Sequence, residues 1–236
     1  MPLFWEKKKE RPFVSAVIPA AGSSTRMGKG NKLMLEIDHV PVLARTISAF
    51  EKCSMIDEII LVCREQDMVE YRDLILEHGF QKISSIVRGG STRTESVLAG
   101  VRAAERAAIV AIHDGARPLV SESVIIDTLE AAMRDRAAAP VVPIKDSVKK
   151  IKDGKIICDV PRADIAAVQT PQCFERDLIL EALENAVREN LPLTDDCSAV
   201  EFLGIQCTAT EGNYMNLKIT TPEDIVMAEA MLEMEE

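Results

Sequence analysis

Short apolar runs rich in valine and isoleucine recur through the first half of the chain, at 14–18, 58–62, 83–87 and 108–112. Each is bounded by turn-forming residues and is too short for a helix, which is the pattern of strands buried on both faces of a parallel sheet. Between them the apolar positions take up helical spacing, at 42–50, 67–77 and 94–106, with Val97, Leu98 and Val101 on one face of the last. Strand and helix in alternation predict an α/β fold of three layers around a mostly parallel, Rossmann-like sheet.

The pattern changes after a helix at 121–137 and a strand at 138–142. Over 148–152 and 155–160 apolar and polar residues alternate about Asp153-Gly154, a dipeptide suited to a tight turn, so a β-hairpin is expected. Its many lysines leave little apolar surface to bury on a sheet of its own. The hairpin is therefore expected to project as an arm and pack against another subunit, although an edge hairpin of the main sheet would satisfy the same pattern. Helices at 175–189 and 221–233 and a strand at 205–210 complete the chain. The organisation expected is one domain over 12–236, a β-arm subdomain at 145–167 within it, and a flexible tail at 1–11 carrying Lys7, Lys8 and Lys9.

A chain of 236 residues can bury a single substantial core, and no apolar run approaches the roughly 20 residues of a membrane span. A soluble protein without a membrane partner is expected. The six cysteines form no C-x-x-C pair, which points to reduced thiols in a cytoplasm rather than to zinc or a disulfide framework. A net charge of −10 argues against a nucleic-acid partner. Against that acidic background a local group of cations becomes informative.

Such a group follows the first strand. In Pro19-Ala20-Ala21-Gly22-Ser23-Ser24-Thr25-Arg26-Met27-Gly28 the small residues allow a sharp bend that brings backbone N–H groups to an anion. There is neither a Walker loop nor a Gly-x-Gly-x-x-Gly fingerprint. Arg26 and Lys32 instead place two cations at the carboxyl end of a strand, where open α/β sheets bind ligands, and a phosphate chain suits them. Ordinary surface cations would fit the same residues.

The segment Ala-Ala-Gly-x-x-x-Arg-Met-Gly, with a lysine six residues after the arginine, resembles the loop of pyrophosphorylase-type nucleotidyltransferases. Five later segments follow in order: Gly89 to Val97, His113-Asp114-Gly115-Ala116-Arg117-Pro118, Gln169-Thr170-Pro171-Gln172, Thr194-Asp195-Asp196, and Asn216 to Asp224. Together they resemble the 2-C-methyl-D-erythritol 4-phosphate cytidylyltransferase family, over essentially 14–230. The resemblance implies a fold of the nucleotide-diphospho-sugar transferase type and transfer of CMP from CTP to a sugar-alcohol phosphate in the non-mevalonate isoprenoid pathway.

It further implies that Arg26, Lys32 and Lys218 are catalytic and gather around the reacting phosphates. Ala20, Ala21, Gly22, Gly90, Ser91, Arg93, Ser96, Asp114 and Gly115 would bind the nucleotide, with Gly90 and Ser96 reading cytosine. Arg117, Ser147, Arg162, Thr170 and Thr194 would hold the acceptor, with the arm reaching across a homodimer. Several segments also have purely structural readings: an internal Asp114–Arg117 ion pair, a packed His113, a Ser91 or Thr92 helix cap, and a capped helix start at Thr221-Pro222. The arm departs from the family pattern at Pro161, Ala166 and Ser147, which leaves the acceptor more open than the nucleotide.

An acceptor phosphate monoester, with a second pKa of about 6, is already largely dianionic at neutral pH and needs no general base. Cations, assisted by Mg²⁺ bound mainly through the CTP phosphates, would then do most of the catalytic work. Rival expectations are a ribitol-5-phosphate cytidylyltransferase, a sugar-1-phosphate nucleotidyltransferase using UTP or GTP, and a silent nucleotide-binding regulator.

Overall fold

The computed structural model describes residues 11–22 and 31–234. In chain order the first elements are β1 (Val14–Pro19), a small hairpin of β2 (Glu36–Ile37) and β3 (Val40–Pro41), α1 (Val42–Lys52), β4 (Glu58–Cys63), α2 (Met68–His78), β5 (Ile83–Arg88), α3 (Arg93–Ala103) and β6 (Ile109–Ile112). There follow α4 (Glu122–Asp135), β7 (Ala137–Pro143), β8 (Val148–Lys152), β9 (Lys155–Val160), β10 (Ala166–Val168), β11 (Gln172–Glu175), α5 (Arg176–Arg188), α6 (Asp196–Glu201), β12 (Thr208–Glu211) and α7 (Pro222–Glu233).

The strands β5, β4, β1 and β6 lie side by side and parallel; β4, β1 and β6 are buried as expected, whereas β5, at the sheet edge with Ser84 and Ser85 in its run, is only partly buried. The sheet then departs from pure parallel order, because β11 pairs antiparallel with β6 and β7. Ala138 faces both Cys173 and Thr208, and Val141 faces both Val168 and Glu211. Thus β11 and β10 occupy one edge of β7 in succession, and β12 runs parallel along the other. The result is an eight-stranded, mostly parallel sheet.

Side-chain alternation divides the core between the two faces. Val14, Ala16 and Ile18 of β1 pack with α1, α2 and α4, whereas Val17 packs with α3, α5 and α6. Three layers follow directly. Gly100 allows α3 its close approach, since a Cβ there would lie 2.4 Å from Val17 Cγ1 and 2.8 Å from Val62 Cγ2.

Helix ends obey local chemistry rather than apolar period. Thr92 caps α3 with a reciprocal box to Glu95, and at the start of α7, which Pro222 opens, the Asp224 carboxylate accepts the Thr220 and Thr221 N–H groups at 2.7 and 2.8 Å. The helix expected at 121–137 stops at Asp135 because Arg136 takes a left-handed φ of 74° and leads into β7. The helix expected at 94–106 stops at Ala103, and the strand expected at 205–210 spans Thr208–Glu211.

The alternating segment forms its hairpin, with Asp153 and Gly154 at φ of 51° and 73° supplying the turn. Among the described residues β8 and β9 pair only with each other. Ala166 and Ala167, the last residues of the expected arm, pair with β7 in the main sheet.

Candidate functional site

A cavity of about 390 Å³ opens where β1, β5 and β6 end, at the carboxyl edge of the sheet. Pro19, Ala20, Ala21 and Gly22 bring the backbone of β1 into its wall, with Ala20 N–H held by the Val62 carbonyl at 2.6 Å. After β5, Gly90 packs directly on Glu95, whose Cβ would lie 2.3 Å from any Cβ added there. After β6, Asp114 and Gly115 complete the wall, the Gly115 N–H bonding to the Pro19 carbonyl at 3.2 Å.

All nine expected nucleotide-binding residues line this cavity, together with Lys32 and Lys218. Five separated stretches of sequence therefore meet at one place. Arg26 lies outside the described residues. Lys32 Nζ donates to the Ile219 carbonyl at 2.8 Å, which sets the two lysines beside one another on the backbone around residue 218. Ser91 and Ser96 reach the cavity with their polar groups already engaged: Ser91 N–H and Oγ donate to Glu95 Oε2 at 2.7 and 2.6 Å, and Ser96 Oγ donates to the Thr92 carbonyl at 2.9 Å.

Asp114 is the electrostatic centre of the wall. Lys218 Nζ lies 2.7 Å from its Oδ2, Arg93 Nη2 3.3 Å from its Oδ1, and Arg117 Nε 3.6 Å from its Oδ2. Burial alone would raise its pKa, but the Arg93, Lys218 and Arg117 charges outweigh burial and hold the carboxyl well below the usual carboxylate range. Asp114 stays ionised and pre-positions three cations.

Arg93 is braced from behind by Asp196, which is nearly fully buried and accepts a bidentate pair at 2.7 and 2.8 Å. Asp196 owes its position to α6, where Gln172 Oε1 accepts the N–H groups of Asp196 and Cys197 at 2.9 and 3.0 Å and Asp195 caps the helix against Ser198. In sequence Thr194-Asp195-Asp196 is a motif that gives Asp196 no task, and Gln172 carries no assignment. The capping pattern was the available signal, since it turns the second aspartate inward.

The expected acceptor residues are placed differently. Arg117 is mostly buried, with Nη1 donating to the Asn216 carbonyl at 2.7 Å, so its internal pairing with Asp114 is the contact present. Thr170 Oγ1 accepts from Asp114 N–H at 3.2 Å and faces His113 Nδ1 at 3.0 Å, inside the protein. Ser147, Arg162 and Thr194 are exposed and line no part of the cavity; Arg162 Nη1 donates to the Lys145 carbonyl at 2.7 Å, and Thr194 Oγ1 lies 3.3 Å from Ser198 Oγ.

His113 is a packed histidine. Its Nε2 meets the Arg117 carbonyl at 3.1 Å, an acceptor only, so Nε2 carries the proton and Nδ1 accepts from Thr170. Its ring also packs on Phe50 with centroids 4.8 Å apart. Burial pushes its pKa down to about 4. The unfolded chain therefore binds more protons between that value and the free-histidine value of about 6.5, so stability present above this window is lost as pH falls through it. This one residue is expected to remove about 2 kcal/mol of stability between pH 7 and pH 5. Urea unfolding at the two pH values checks this, since His113→Gln should lose that much less than the parent; equal losses would refute it.

An open α/β sheet with a lysine-flanked cavity at its carboxyl edge defines the class, an α/β nucleotidyltransferase. The model of the 2-C-methyl-D-erythritol 4-phosphate cytidylyltransferase family matches residues 14–234. The chain belongs to that family. It is 44% identical over 223 residues to the enzyme of that name from Caldanaerobacter subterraneus, covering 93% of this chain and 98% of the relative. With the one from Halalkalibacterium halodurans it shares 41% over 219 residues, 92% of this chain and 96% of the relative. The structure resembles that of 4-diphosphocytidyl-2C-methyl-D-erythritol synthase from Anaerococcus prevotii, with a TM-score of 0.84 at 33% identity over 94% of this chain and 96% of the other.

Proposed function

We propose that the chain transfers CMP from CTP to 2-C-methyl-D-erythritol 4-phosphate, releasing pyrophosphate and forming 4-diphosphocytidyl-2-C-methyl-D-erythritol. The observation that carries this reading is the convergence of Lys32, Lys218 and the segments 20–22, 90–96 and 114–115 on one cavity. In the reaction the acceptor phosphate attacks the α-phosphorus in line, and the oxygen bridging the α and β phosphates leaves with pyrophosphate.

The cations do the work because charge builds on the phosphoryl oxygens. Lys218 is held at Asp114 until a phosphate oxygen competes for its ammonium; it then stabilises the α-phosphate. Lys32, with Arg26 on the same loop, holds the triphosphate. The Gly90-to-Ser96 turn presents backbone groups to the cytosine edge, while Asp114 and Gly115 face the ribose.

Magnesium fits as a guest of the triphosphate. No group of three or more His, Cys, Asp or Glu among the described residues could hold a metal, and Asp114 is the sole carboxylate among those lining the cavity. Because that carboxylate already faces Lys218, Arg93 and Arg117, the ion would be held mainly by phosphate oxygens and water, an arrangement Mg²⁺ accepts because it retains much of its hydration. When bound, the ion neutralises phosphate charge.

We further propose a homodimer in which Ser147 and Arg162 of the arm, at 145–167, serve the acceptor end of the second copy's site, with Thr170 and Thr194 near it. Ile151 and Ile156, cross-strand neighbours on the hairpin, are 67% and 68% exposed, which supports a partner surface there. No helix among the described residues is long and apolar enough to cross a membrane. The free cysteines fit a reducing cytoplasm.

A pyrophosphate-release assay with CTP, UTP, GTP and ATP, each with Mg²⁺ and either methylerythritol phosphate or ribitol 5-phosphate, tests the whole reading. Release is expected with CTP and methylerythritol phosphate. Preference for ribitol phosphate would overturn the acceptor, preference for another triphosphate the nucleotide, and CTP binding without turnover the enzymatic role.

A further inference from the structure

The root of the arm is tied to the lysine loop by one side chain that no part of the mechanism above uses. Tyr214 sits between β12 and Lys218. Its hydroxyl donates to the Pro143 carbonyl at 2.7 Å, at the end of β7, and the Lys145 ammonium lies over its ring, 3.7 Å from the centroid. The Lys145 carbonyl in turn accepts Arg162 Nη1 at 2.7 Å, so Arg162, on the returning side of the arm, is joined to the arm's first residue.

The other side of the tie is rigid. Asn213 exchanges two hydrogen bonds with the Gln169 side chain, at 2.8 and 3.2 Å, and Asn216 Nδ2 donates to the Thr170 carbonyl at 2.8 Å. Lys218 follows two residues later, against Asp114. Yet Tyr214 is 43% exposed and fills no core position, so its contacts hold segments together rather than stabilise the interior.

We propose that Tyr214 is a positioning residue that fixes the root of the arm, and with it Arg162, relative to the Lys218 loop. It sets how well the acceptor is held without touching the nucleotide. This rests on the acceptor role given to the arm above. The hydroxyl bond holds the ring at the end of β7, the cation–π contact acts on Lys145, the first residue of the arm, and both are lost together if the ring is removed.

Steady-state kinetics of Tyr214→Leu and Tyr214→Phe, with each substrate varied in turn, provide the test. Tyr214→Leu is expected to raise the acceptor KM about tenfold, equivalent to about 1.4 kcal/mol, with the CTP KM changed by less than about twofold. Tyr214→Phe, which keeps the ring over Lys145, should restore part of the loss. A second readout needs no substrate: trypsin should cut the lysine-rich hairpin of ligand-free Tyr214→Leu about tenfold faster than that of the parent, in line with the same weakening.

An unchanged acceptor KM, or a rise in both KM values together with a fall in kcat, would overturn the inference. So would an unchanged rate of hairpin cleavage. If the parent itself turns over none of the acceptors, the proposed function fails instead, and the cleavage rates still judge the anchor.

Discussion

Lys218→Ala is expected to lower kcat for pyrophosphate release by about 10²–10³-fold, the usual cost of removing one donor aimed at developing transition-state charge. The fold should survive, because Asp114 keeps Arg93 at 3.3 Å and Arg117 at 3.6 Å, and Lys218 is 40% exposed rather than a core residue. Lys32→Ala should act similarly, for its ammonium stands at the Ile219 carbonyl beside Lys218. Thermal unfolding recorded beside the kinetics separates lost chemistry from lost structure. Near-normal pyrophosphate release by both variants would remove the two lysines from the reaction.

Asp196→Ala should act on stability first. Its carboxylate is 2% exposed and takes both forks of Arg93, so truncation leaves a guanidinium with one weaker partner, Asp114. Breaking a buried pair costs about 3–5 kcal/mol, and the 38% exposure of Arg93 puts this case at or below the low end, because water can reach part of the orphaned charge. A loss of about 3 kcal/mol in urea unfolding is expected, with a raised CTP KM as the cavity wall loosens. Asp196→Asn should lose less, since the amide oxygen still accepts from the fork. A loss below about 1 kcal/mol would show that Arg93 is held elsewhere.

The lysine variants and the Asp196 variants divide the site between chemistry and support, and the same division describes what is legible in the sequence. Lys32, Lys218 and the small residues at 20–22 were readable because their types announce phosphate contact. Asp196 and Gln172 were not, since a carboxylate that braces an arginine 103 positions away looks in sequence like any capping residue. Asn216 stands out in sequence only as a neighbour of Lys218, while its own work is to carry the Arg117 and Thr170 contacts. Strand β11 escaped for a related reason: four residues beginning with Gln172 and following Pro171 show no period of their own, and only the flanking β6 and β7 make them a strand.

By itself the sequence determined the alternation of strand and helix, the Asp-Gly hairpin, the capped starts of α3 and α7, and the cationic, phosphate-seeking character of the loop after β1. These depend on neighbours within a few residues, where apolar period and turn chemistry act directly. Only the tertiary structure decided that the loops after β1, β5 and β6 close on one cavity, that Asp114 gathers three cations, that the chain turns antiparallel at β11, and that Tyr214 ties the arm to the lysine loop. Those features are contacts between residues far apart in the chain, and their energies exist only once the packed sheet has brought the partners together and taken them partly out of water.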